Sequence, residues 1–282
     1  MMQGRICLVT GATSGIGQAA ATALAGLGAT VVLVARNREK GEATLAEIRA
    51  RTGNPALDLM LADLSAQQQV RALAEQVRAK YDRLHVLLNN AGATFASRQL
   101  SADGIEMTLA LNHLSYFLLT HLLLDRLRAG APARIVNVSS DAHRAPWFDV
   151  DDLQMQRRRY GPLKAYGYSK LANILFTREL ARRLAGSGVS VNALHPGTVG
   201  TNIAASGGRF AAWLWRHLPG LLTPEQGADT AVWLASAPEV AGATGGYYIK
   251  RKLVEPATPA RDAGLAQRLW EISEQLTGIQ AG

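Results

Sequence analysis

The amino-acid sequence predicts an α/β fold in which helices cover both faces of one mostly parallel, seven-stranded sheet. Short apolar runs rich in β-branched residues alternate with segments of helical length along the chain. Each apolar run is continuous rather than alternating, which is typical of strands that are buried on both faces of a sheet. The two observations together indicate a doubly wound sheet, whose parallel strands are joined by helical crossovers.

Each strand and helix of that sheet corresponds to one run in the sequence. Strands are predicted at Ile6–Thr10, Thr30–Val34, Leu57–Leu61, Val86–Leu88, Arg134–Val138, Val189–Ala193 and Gly246–Ile249. Helical periodicity predicts helices at Ile16–Leu27, Glu39–Arg51, Ala66–Tyr81, Glu106–Arg128, Tyr166–Leu184 and Pro224–Ala235. Because no linker or internal repeat divides the series, residues 1–282 are expected to form a single domain.

Two longer segments interrupt the alternation. Asp141–Leu163 is a polar insertion rich in Arg and Asp, and Pro196–Leu222 combines several glycines with the apolar stretch Phe210–Trp215. Loops of this length in a compact domain are usually functional or disordered. We therefore expect an insertion at residues 141–163 and a mobile substrate lid at about residues 196–222.

Composition and charge argue against several classes of protein. The chain is 48% hydrophobic, as soluble globular proteins usually are, and no apolar run reaches the ~18–20 residues that a transmembrane helix needs. The first strand begins almost at the initiating methionine, so no signal peptide is expected and the cytoplasm is the expected location. The net charge of +8 comes from scattered Lys and Arg residues without a recognisable nucleic-acid-binding module, which argues against a nucleic-acid partner.

Cysteine and histidine usage indicates neither disulfide nor metal chemistry. Cys7 is the one cysteine and lies in the first apolar run, where a buried, unreactive thiol is expected. The histidines lack metal-binding spacing. They are interpreted as helix, cleft-edge and strand-end residues at His113, His121, His143 and His195.

A glycine-rich turn directly after the first strand is the first candidate site. It reads Thr10-Gly11-Ala12-Thr13-Ser14-Gly15-Ile16-Gly17 and opens the first helix. Glycines let backbone N–H groups approach a phosphate closely, and a helix N-terminus adds positive potential. A tight turn with glycines needed for packing is the alternative. Three glycines between a strand and a helix favour dinucleotide binding.

A second candidate site lies where Tyr166 and Lys170 stand four residues apart. Positions i and i+4 share one face of a helix, and a nearby cation lowers the pKa of a phenol from its usual value near ~10. The pair therefore suggests a general acid or base, although the same spacing occurs on many solvent-exposed helices. Neither Tyr160 nor Tyr168 precedes a lysine at this spacing, and both are interpreted as packing or cleft-lining residues.

The order of these motifs resembles that of the short-chain dehydrogenase/reductase family. The Thr-Gly-x-x-x-Gly-Ile-Gly turn is similar to the family's glycine motif. Further matches follow in order at Asp63-Leu64, Asn89-Asn90-Ala91-Gly92, Asn112, Ser140, Tyr166, Lys170 and Pro196-Gly197. The resemblance covers essentially the whole chain. It implies a Rossmann fold and an oxidoreductase that transfers hydride between a nicotinamide cofactor and a carbonyl/alcohol pair.

Within that family, longer stretches resemble the retinol dehydrogenases and the WW-domain oxidoreductase. These stretches are Ala110–Leu114, Val138–His143, Tyr166–Asn173, His195–Val199 and Leu269–Ser273. The 26 positions from Ser140 to Tyr166 also match the longer insertion of this subgroup. Animal retinol enzymes usually carry an N-terminal membrane anchor, which this chain is expected to lack, so the resemblance does not by itself imply a retinoid substrate.

The resemblance implies a role for each matching residue. Tyr166 would exchange a proton with the substrate oxygen, and Ser140 would hydrogen-bond that oxygen. Lys170 would lower the pKa of the tyrosine and bind the nicotinamide ribose, and Asn112 would hold a water in the proton relay. A capping, helix-interior or surface role is the alternative for each. The implied cofactor-binding residues are Gly11, Thr13, Ser14, Gly15, Ile16, Gly17, Arg36, Asp63, Leu64, Asn90, Ala91, Gly92, Tyr166, Lys170, Pro196, Gly197, Val199 and Thr201.

The end of the second predicted strand indicates which cofactor is preferred. An acid about 20 residues past the glycines would bind the ribose 2′-hydroxyl of NAD, but Ala35-Arg36-Asn37-Arg38 stands there instead. A guanidinium can bind a 2′-phosphate in a bidentate manner. Arg36 therefore predicts NADP(H), and a solvent-exposed turn residue is the alternative interpretation.

Apolar residues expected near the cleft predict a hydrophobic aldehyde or ketone, or its alcohol, as the substrate. They are Phe95, Trp147, Phe148, Trp213, Leu214 and Trp215. If some of them pack the lid onto the body, the pocket would take a small substrate instead. Reduction of an activated carbon–carbon double bond and a non-catalytic NADP(H)-binding sensor are the alternative functions.

Two predicted helices, Glu106–Arg128 and Tyr166–Leu184, are apolar along more than one stripe. One stripe must cover the sheet, so the second implies a further partner. In the family these two helices build the dimer interface. The resemblance therefore implies a homodimer or homotetramer.

Overall fold

In the computed structural model, which describes residues 2–144, 148–199 and 221–279, eight strands form one sheet. The strands are β1 (Ile6–Thr10), β2 (Thr30–Ala35), β3 (Leu57–Leu61), β4 (Val86–Asn89), β5 (Ala133–Val138), β6 (Val189–His195), β7 (Tyr247–Ile249) and β8 (Lys252–Leu253). Their order is β3-β2-β1-β4-β5-β6-β7-β8. Every neighbouring pair is parallel except β7 and β8, which are antiparallel.

Helices lie on both faces of this sheet, which confirms the predicted doubly wound α/β fold. They are α1 (Gly15–Gly26), α2 (Arg38–Thr52), α3 (Gln67–Lys80), α4 (Met107–Leu109), α5 (Ser115–Leu122), α6 (Leu124–Ala129), α7 (Pro162–Arg183), α8 (Pro224–Ser236) and α9 (Ala263–Thr277). On β2, Val31 and Leu33 join the core beneath α1 and α8, whereas Val32 and Val34 join the core beneath α3, α5 and α7. Both sides of the strand are buried, which explains its uninterrupted apolar sequence.

The predicted count of seven strands is wrong by one, because β8 was not predicted. The turn into β8 places Lys250 and Arg251 at positive φ, 49° and 61°. Such a turn is usually marked by Gly, Asn or Asp, and neither residue is one of these. Lys252 and Leu253 are also exposed, so no apolar run reveals the strand.

The single long helix predicted over Glu106–Arg128 is interrupted in the structure. A π-helical turn occupies Ala110–Leu114 between α4 and α5, and Leu123 separates α5 from α6. Such π turns break the regular i to i−4 bonding of a helix and are frequent at functional sites. Asn112, one of the predicted catalytic residues, lies in the middle of this turn.

Helix α9 covers the second apolar stripe that suggested a partner chain. Trp270 of α9 is 2% exposed, and its ring lies 5.1 Å from that of Phe117 on α5 and 6.0 Å from that of Phe176 on α7. The Arg183 guanidinium lies 4.1 Å from the same indole ring. The chain's own C-terminal helix is therefore a partner for this stripe, and the apolar pattern no longer requires a second copy.

Several remaining expectations concern individual segments. Cys7 is fully buried, and burial raises the pKa of its thiol to about 12, so it is unreactive as predicted.

The predicted insertion contains short 3₁₀ turns at Asp141–Arg144 and Val150–Asp152 before α7 begins. Most of the predicted lid, residues 200–220, lies outside the described residues. Val199 and Leu222, which lie on either side of residues 200–220, form a parallel bridge. No described helix combines the length and the apolar character needed to cross a bilayer.

Candidate active site

A cleft of about 390 Å³ opens at the carboxyl ends of β1 and β4. The strand order reverses between these two strands, which is the position where doubly wound sheets bind their ligands. Its wall contains twelve of the predicted cofactor-binding residues, namely Gly11, Thr13, Ser14, Gly15, Ile16, Gly17, Arg36, Asp63, Leu64, Asn90, Ala91 and Gly92. The structure thus brings together residues from four separate strand ends.

The glycine turn has a shape that other residues could not adopt. Gly11 has a φ of 65°, and a Cβ atom at Gly17 would lie 2.2 Å from the carbonyl oxygen of Gly11. The backbone at the start of α1 therefore lies directly against the turn. This arrangement exposes main-chain N–H groups at a helix N-terminus, which favours a phosphate group.

Asn90 ties the glycine turn to the end of β4. Its Nδ2 donates to the carbonyl oxygen of Thr10 at 2.8 Å, and its backbone N–H donates to Thr10 Oγ1, also at 2.8 Å. The Ala91 N–H donates to the same hydroxyl at 3.1 Å. These bonds hold the two strand ends at a fixed separation and preorganise the cleft before any ligand binds.

Two charged residues extend the cleft beyond the glycine turn. Arg36 follows β2, is exposed and lines the cleft, and it forms no ion pair with another described residue. Its neighbour Arg38 lies 3.5 Å from Glu42 instead. Asp63 follows β3, and its Oδ1 accepts hydrogen bonds from the Ser65 N–H and hydroxyl.

The predicted catalytic residues come from three elements that meet beside this cleft. Asn112 lies in the π turn, Ser140 follows β5, and Tyr166 and Lys170 lie on α7. Gly92 in the cleft wall connects the two regions. A Cβ atom there would lie 3.2 Å from Asn112 Oδ1 and 3.5 Å from Lys170 Nζ.

Burial dominates the electrostatics of Tyr166 and Lys170. Burial raises the pKa of Tyr166, while a hydrogen bond from the Ser140 hydroxyl lowers it in part. Burial also lowers the pKa of Lys170 to about 7. Burial and the Ser140 bond account for the shift at Tyr166, so the lowering of the tyrosine pKa by Lys170 stays a prediction. Lys170 Nζ instead donates to the carbonyl oxygen of Val138 at 3.0 Å.

Asn112 is fully buried and bonded to backbone and side chain. Its Oδ1 accepts from the Ala93 N–H at 2.9 Å, and its Nδ2 donates to the Ala93 carbonyl at 2.9 Å and to Ser169 Oγ at 3.0 Å. The Ser169 hydroxyl in turn donates to the carbonyl oxygen of Tyr166 at 2.7 Å. The Asn112 side chain therefore links the loop after β4 to the first turns of α7.

Some predicted residues lie apart from the cleft wall or outside the described ranges. Pro196, Gly197 and Val199 follow β6 and do not line the cleft, and Thr201 lies outside the described residues. Among the apolar candidates for the substrate site, Phe95 lines the cleft and the Phe148 ring packs 5.3 Å from that of Tyr168. The others, Trp147, Trp213, Leu214 and Trp215, fall outside the described residues.

Two further residues that touch this centre were not predicted. Tyr116 is 1% exposed and donates from its hydroxyl to the carbonyl oxygen of Ala91 at 2.8 Å, and Lys170 Nζ lies 5.8 Å from its ring centre. Asn173 donates to the carbonyl oxygens of Asn112 and Val138. Helical spacing from the predicted residues could have identified both, because Tyr116 lies four residues after Asn112 and Asn173 lies three residues after Lys170.

The strand order and the cleft define a dinucleotide-binding protein of the Rossmann class. A family model described as short chain dehydrogenase matches residues 5–210. The chain belongs to the short-chain dehydrogenase family and to its retinol dehydrogenase-like subgroup, which confirms the resemblance seen in the motifs. It is accordingly an oxidoreductase that acts on a CH–OH/C=O pair with a nicotinamide cofactor.

Two relatives show how far the similarity extends. Human retinol dehydrogenase 13 is 42% identical over 99% of this chain and 86% of that protein. The DnrU protein of Streptomyces sp. (strain C5), whose name describes a daunorubicin C-13 ketoreductase, is 46% identical over 99% of this chain and 95% of that protein.

Solved structures agree with the fold. An uncharacterised protein from Mycobacterium paratuberculosis superposes with a TM-score of 0.81 at 36% identity, over 99% of this chain and 96% of that chain. The RhlG protein of Pseudomonas aeruginosa, solved as an active-site complex with NADP, superposes with a TM-score of 0.69 at 28% identity, over 94% and 97% of the respective chains.

Proposed function

We propose that this chain is an NADP(H)-dependent oxidoreductase that interconverts a lipophilic aldehyde or ketone and its alcohol. The main support is the contact at Gly92, which joins a phosphate-binding cleft to the buried Asn112 and Lys170 side chains. A cofactor held along the cleft would thereby end beside Tyr166 and Ser140. The family's reaction class and this proximity point to the same chemistry.

The residues present fit a dinucleotide phosphate. The backbone cradle at Gly11 and Gly17 leaves no room for a Cβ atom and offers N–H groups to a pyrophosphate. Arg36, unpaired among the described residues, is the group that would bind a 2′-phosphate. When bound, the nicotinamide supplies or accepts the hydride.

Tyr166 would donate a proton to the substrate oxygen, and Ser140 would hydrogen-bond that oxygen. A phenol whose pKa is raised keeps its proton at neutral pH, so Tyr166 is suited to protonate the oxygen that gains charge as a carbonyl is reduced. The Ser140 hydroxyl is hydrogen-bonded to that phenol, and it can turn its single proton to the substrate oxygen instead. Lys170, with a pKa of about 7, can return a proton to the site near neutral pH.

The lipophilic substrate is supported by apolar residues and by the names of relatives. Phe95 borders the cleft, and Phe148 lies on the insertion next to Tyr168. The two relatives are named for retinol and for the C-13 ketone of daunorubicin, both of which are ring-containing, carbon-rich compounds. A largely apolar pocket with a few directed polar groups suits such molecules.

The proposal is tested by following NADPH oxidation over a panel of aldehydes, ketones and quinones, with Tyr166→Phe as the blank. Turnover of apolar carbonyls that Tyr166→Phe lowers by about 10²-fold or more supports the proposal. Product analysis then separates carbonyl reduction from reduction of a carbon–carbon double bond. Tight NADPH binding without turnover of any carbonyl would favour a sensor instead.

The predicted assembly follows from the family resemblance rather than from the fold. A homodimer or homotetramer of single-domain chains in the cytoplasm stays our prediction. Its argument from the second apolar stripe is weakened, because Trp270 and the rest of α9 pack there. Light scattering decides the assembly, since a mass equal to one chain contradicts the prediction.

A further inference from the structure

Asn173 lies where the three elements that carry the catalytic residues meet. It is fully buried on α7, one turn after Lys170. Its Nδ2 donates to the carbonyl oxygen of Asn112 in the π turn at 2.9 Å and to that of Val138 at the end of β5 at 3.3 Å. One carboxamide therefore crosslinks the segments that bear Asn112, Ser140 and the Tyr166–Lys170 pair.

The same carboxamide shares an acceptor with Lys170. The carbonyl oxygen of Val138 accepts from Lys170 Nζ at 3.0 Å as well as from Asn173. The position of this oxygen therefore sets where the lysine nitrogen lies beneath the Tyr166 ring. Loss of the Asn173 side chain would remove one of the two hydrogen bonds to the anchor of Lys170 and, at the same time, the bond to the π turn.

His113 fixes the orientation of the carboxamide. Because Nδ2 of Asn173 faces two carbonyl oxygens, its Oδ1 must face the imidazole, whose Nδ1 lies 3.2 Å away. His113 is fully buried, and burial lowers its pKa to about 4, so the ring is neutral. Because the acceptor Oδ1 of Asn173 faces Nδ1, we infer that the proton of the ring is on Nδ1. The Nε2 lone pair then faces the hydroxyl of Ser273 on α9 at 3.0 Å, and the single proton of that hydroxyl also has the Leu269 carbonyl oxygen, 2.7 Å away, as an acceptor.

We propose that Asn173 is a positioning residue of the catalytic centre, held in its working orientation by His113 and, through it, by Ser273 of the C-terminal helix. This inference rests on the proposed function. It gives α9 a second role besides covering α5 and α7. It also explains why a neutral, buried histidine stands directly after the catalytic Asn112.

The first test reads the hydrogen-bond network without any turnover. In ¹⁵N-histidine-labelled protein, the His113 signal, assigned from its loss in His113→Phe, is expected to show the proton on Nδ1. In Asn173→Leu that acceptor is gone, so the proton should move to Nε2 while Ser273 donates to the Leu269 carbonyl, 2.7 Å away. A wild-type ring protonated on Nε2 would overturn the proposal, whether or not the protein reduces any carbonyl.

The second test uses turnover of a carbonyl accepted by the wild-type protein. Asn173→Leu keeps the volume but removes the donors, and kcat should fall by roughly 10- to 100-fold with a smaller change in the KM of the carbonyl, since misplaced groups slow the chemical step. His113→Phe should lower kcat in the same direction. The double variant should lose no more than the worse single variant, because the two residues act as one unit.

The control is His121→Phe on α5, a partly buried histidine that lies outside the network and accepts nothing from it. It should keep the wild-type kcat. The proposal would be contradicted if the fold-losses in kcat of the two single variants multiplied in the double variant. An unchanged kcat in a folded Asn173→Leu protein would also contradict it. Should Asn173→Leu fail to fold, His113→Phe and the wild-type imidazole signal still decide the matter.

Discussion

The Nζ atom of Lys170 lies 5.4 Å from the centre of the Tyr166 ring. Lys170 is buried and Tyr166 is partly buried, so burial raises the pKa of the phenol and lowers that of the amine to about 7. At neutral pH this structure therefore pairs a protonated phenol with a lysine that readily gains or loses a proton. Groups that titrate near the working pH are efficient proton carriers.

Folding stability should depend on pH through Lys170. Its pKa is about 7 in the folded chain and 10.5 ordinarily, so between these values the unfolded chain binds a proton that the folded chain has released. The free energy of unfolding should therefore rise with pH in this window, by about 1.4 kcal/mol per pH unit. Below pH ~7 both states hold the proton, and this dependence ends.

Urea unfolding of the cofactor-free protein between pH 7.5 and 9 measures this effect as the difference between wild type and Lys170→Met. Lys164→Met, at an exposed lysine of the same helix, is the control and should follow the wild-type profile. Parallel profiles for wild type and Lys170→Met would show that Lys170 stays charged when buried.

Cofactor preference should depend on Arg36. Removing charge-assisted hydrogen bonds to a 2′-phosphate costs ~1.5–3 kcal/mol, so Arg36→Gln should raise the KM for NADPH roughly 10- to 100-fold and leave that for NADH almost unchanged. Arg38→Gln is the matched control, because Arg38 does not line the cleft and lies next to Glu42. Steady-state kinetics with both cofactors would refute the assignment if the two variants behaved alike.

Cofactor binding should also depend on the missing side chain at Gly17. A Cβ atom there would lie 2.2 Å from the Gly11 carbonyl oxygen and 2.4 Å from Asn90 Nδ2, so Gly17→Ala must distort the glycine turn. We expect a loss of about 1–3 kcal/mol in stability and a weaker Kd for NADPH, measured by fluorescence titration. Gly26→Ala, at the other end of α1, meets nothing closer than 3.9 Å and should bind NADPH normally.

The packing of α9 should be required for stability. Trp270 is 2% exposed, its ring lies 4.8 Å from that of His121, and its Nε1–H donates to Glu274 at 2.9 Å. Trp270→Ala should therefore lower the free energy of unfolding by roughly 3–5 kcal/mol and expose the apolar surface of α5 and α7. Urea unfolding measures the first effect and light scattering measures any self-association.

Trp233→Ala is the comparison for Trp270→Ala. Trp233 is only partly buried, and its ring packs 5.7 Å from that of Tyr248 on one side. Its replacement should cost about half as much or less, since the free energy lost scales with the buried volume removed. Equal losses at both tryptophans would argue that α9 is no more than a surface helix.

Local motifs explain why much of the cleft was predictable. The glycine turn, Arg36, Asp63 and the Asn90–Gly92 stretch each follow a strand directly, and parallel strands bring their carboxyl ends to one edge. The Tyr166–Lys170 spacing likewise survives because α7 is a regular helix. Each of these signals lies within a few residues and needs no knowledge of packing.

The interruptions and long-range contacts were not predictable in the same way. The π turn at Ala110–Leu114 has an ordinary helical sequence, and β8 follows a turn that lacks Gly, Asn or Asp. His113 is 60 residues from Asn173 and 160 residues from Ser273 along the chain, yet its ring nitrogens lie within hydrogen-bond distance of both side chains. Only the docking of α9 on α7 brings these three side chains together.

Periodicity predicts the doubly wound fold, and the ordered motifs carry the family resemblance that implies the reaction class, because both depend on short stretches of chain. Tertiary structure decides the protonation states of Tyr166 and Lys170, since burial rather than sequence spacing dominates their pKa values. It also decides what covers the outer stripe of α5 and α7. An apolar stripe shows that a partner is needed, but only packing shows that this partner is the chain's own C-terminal helix.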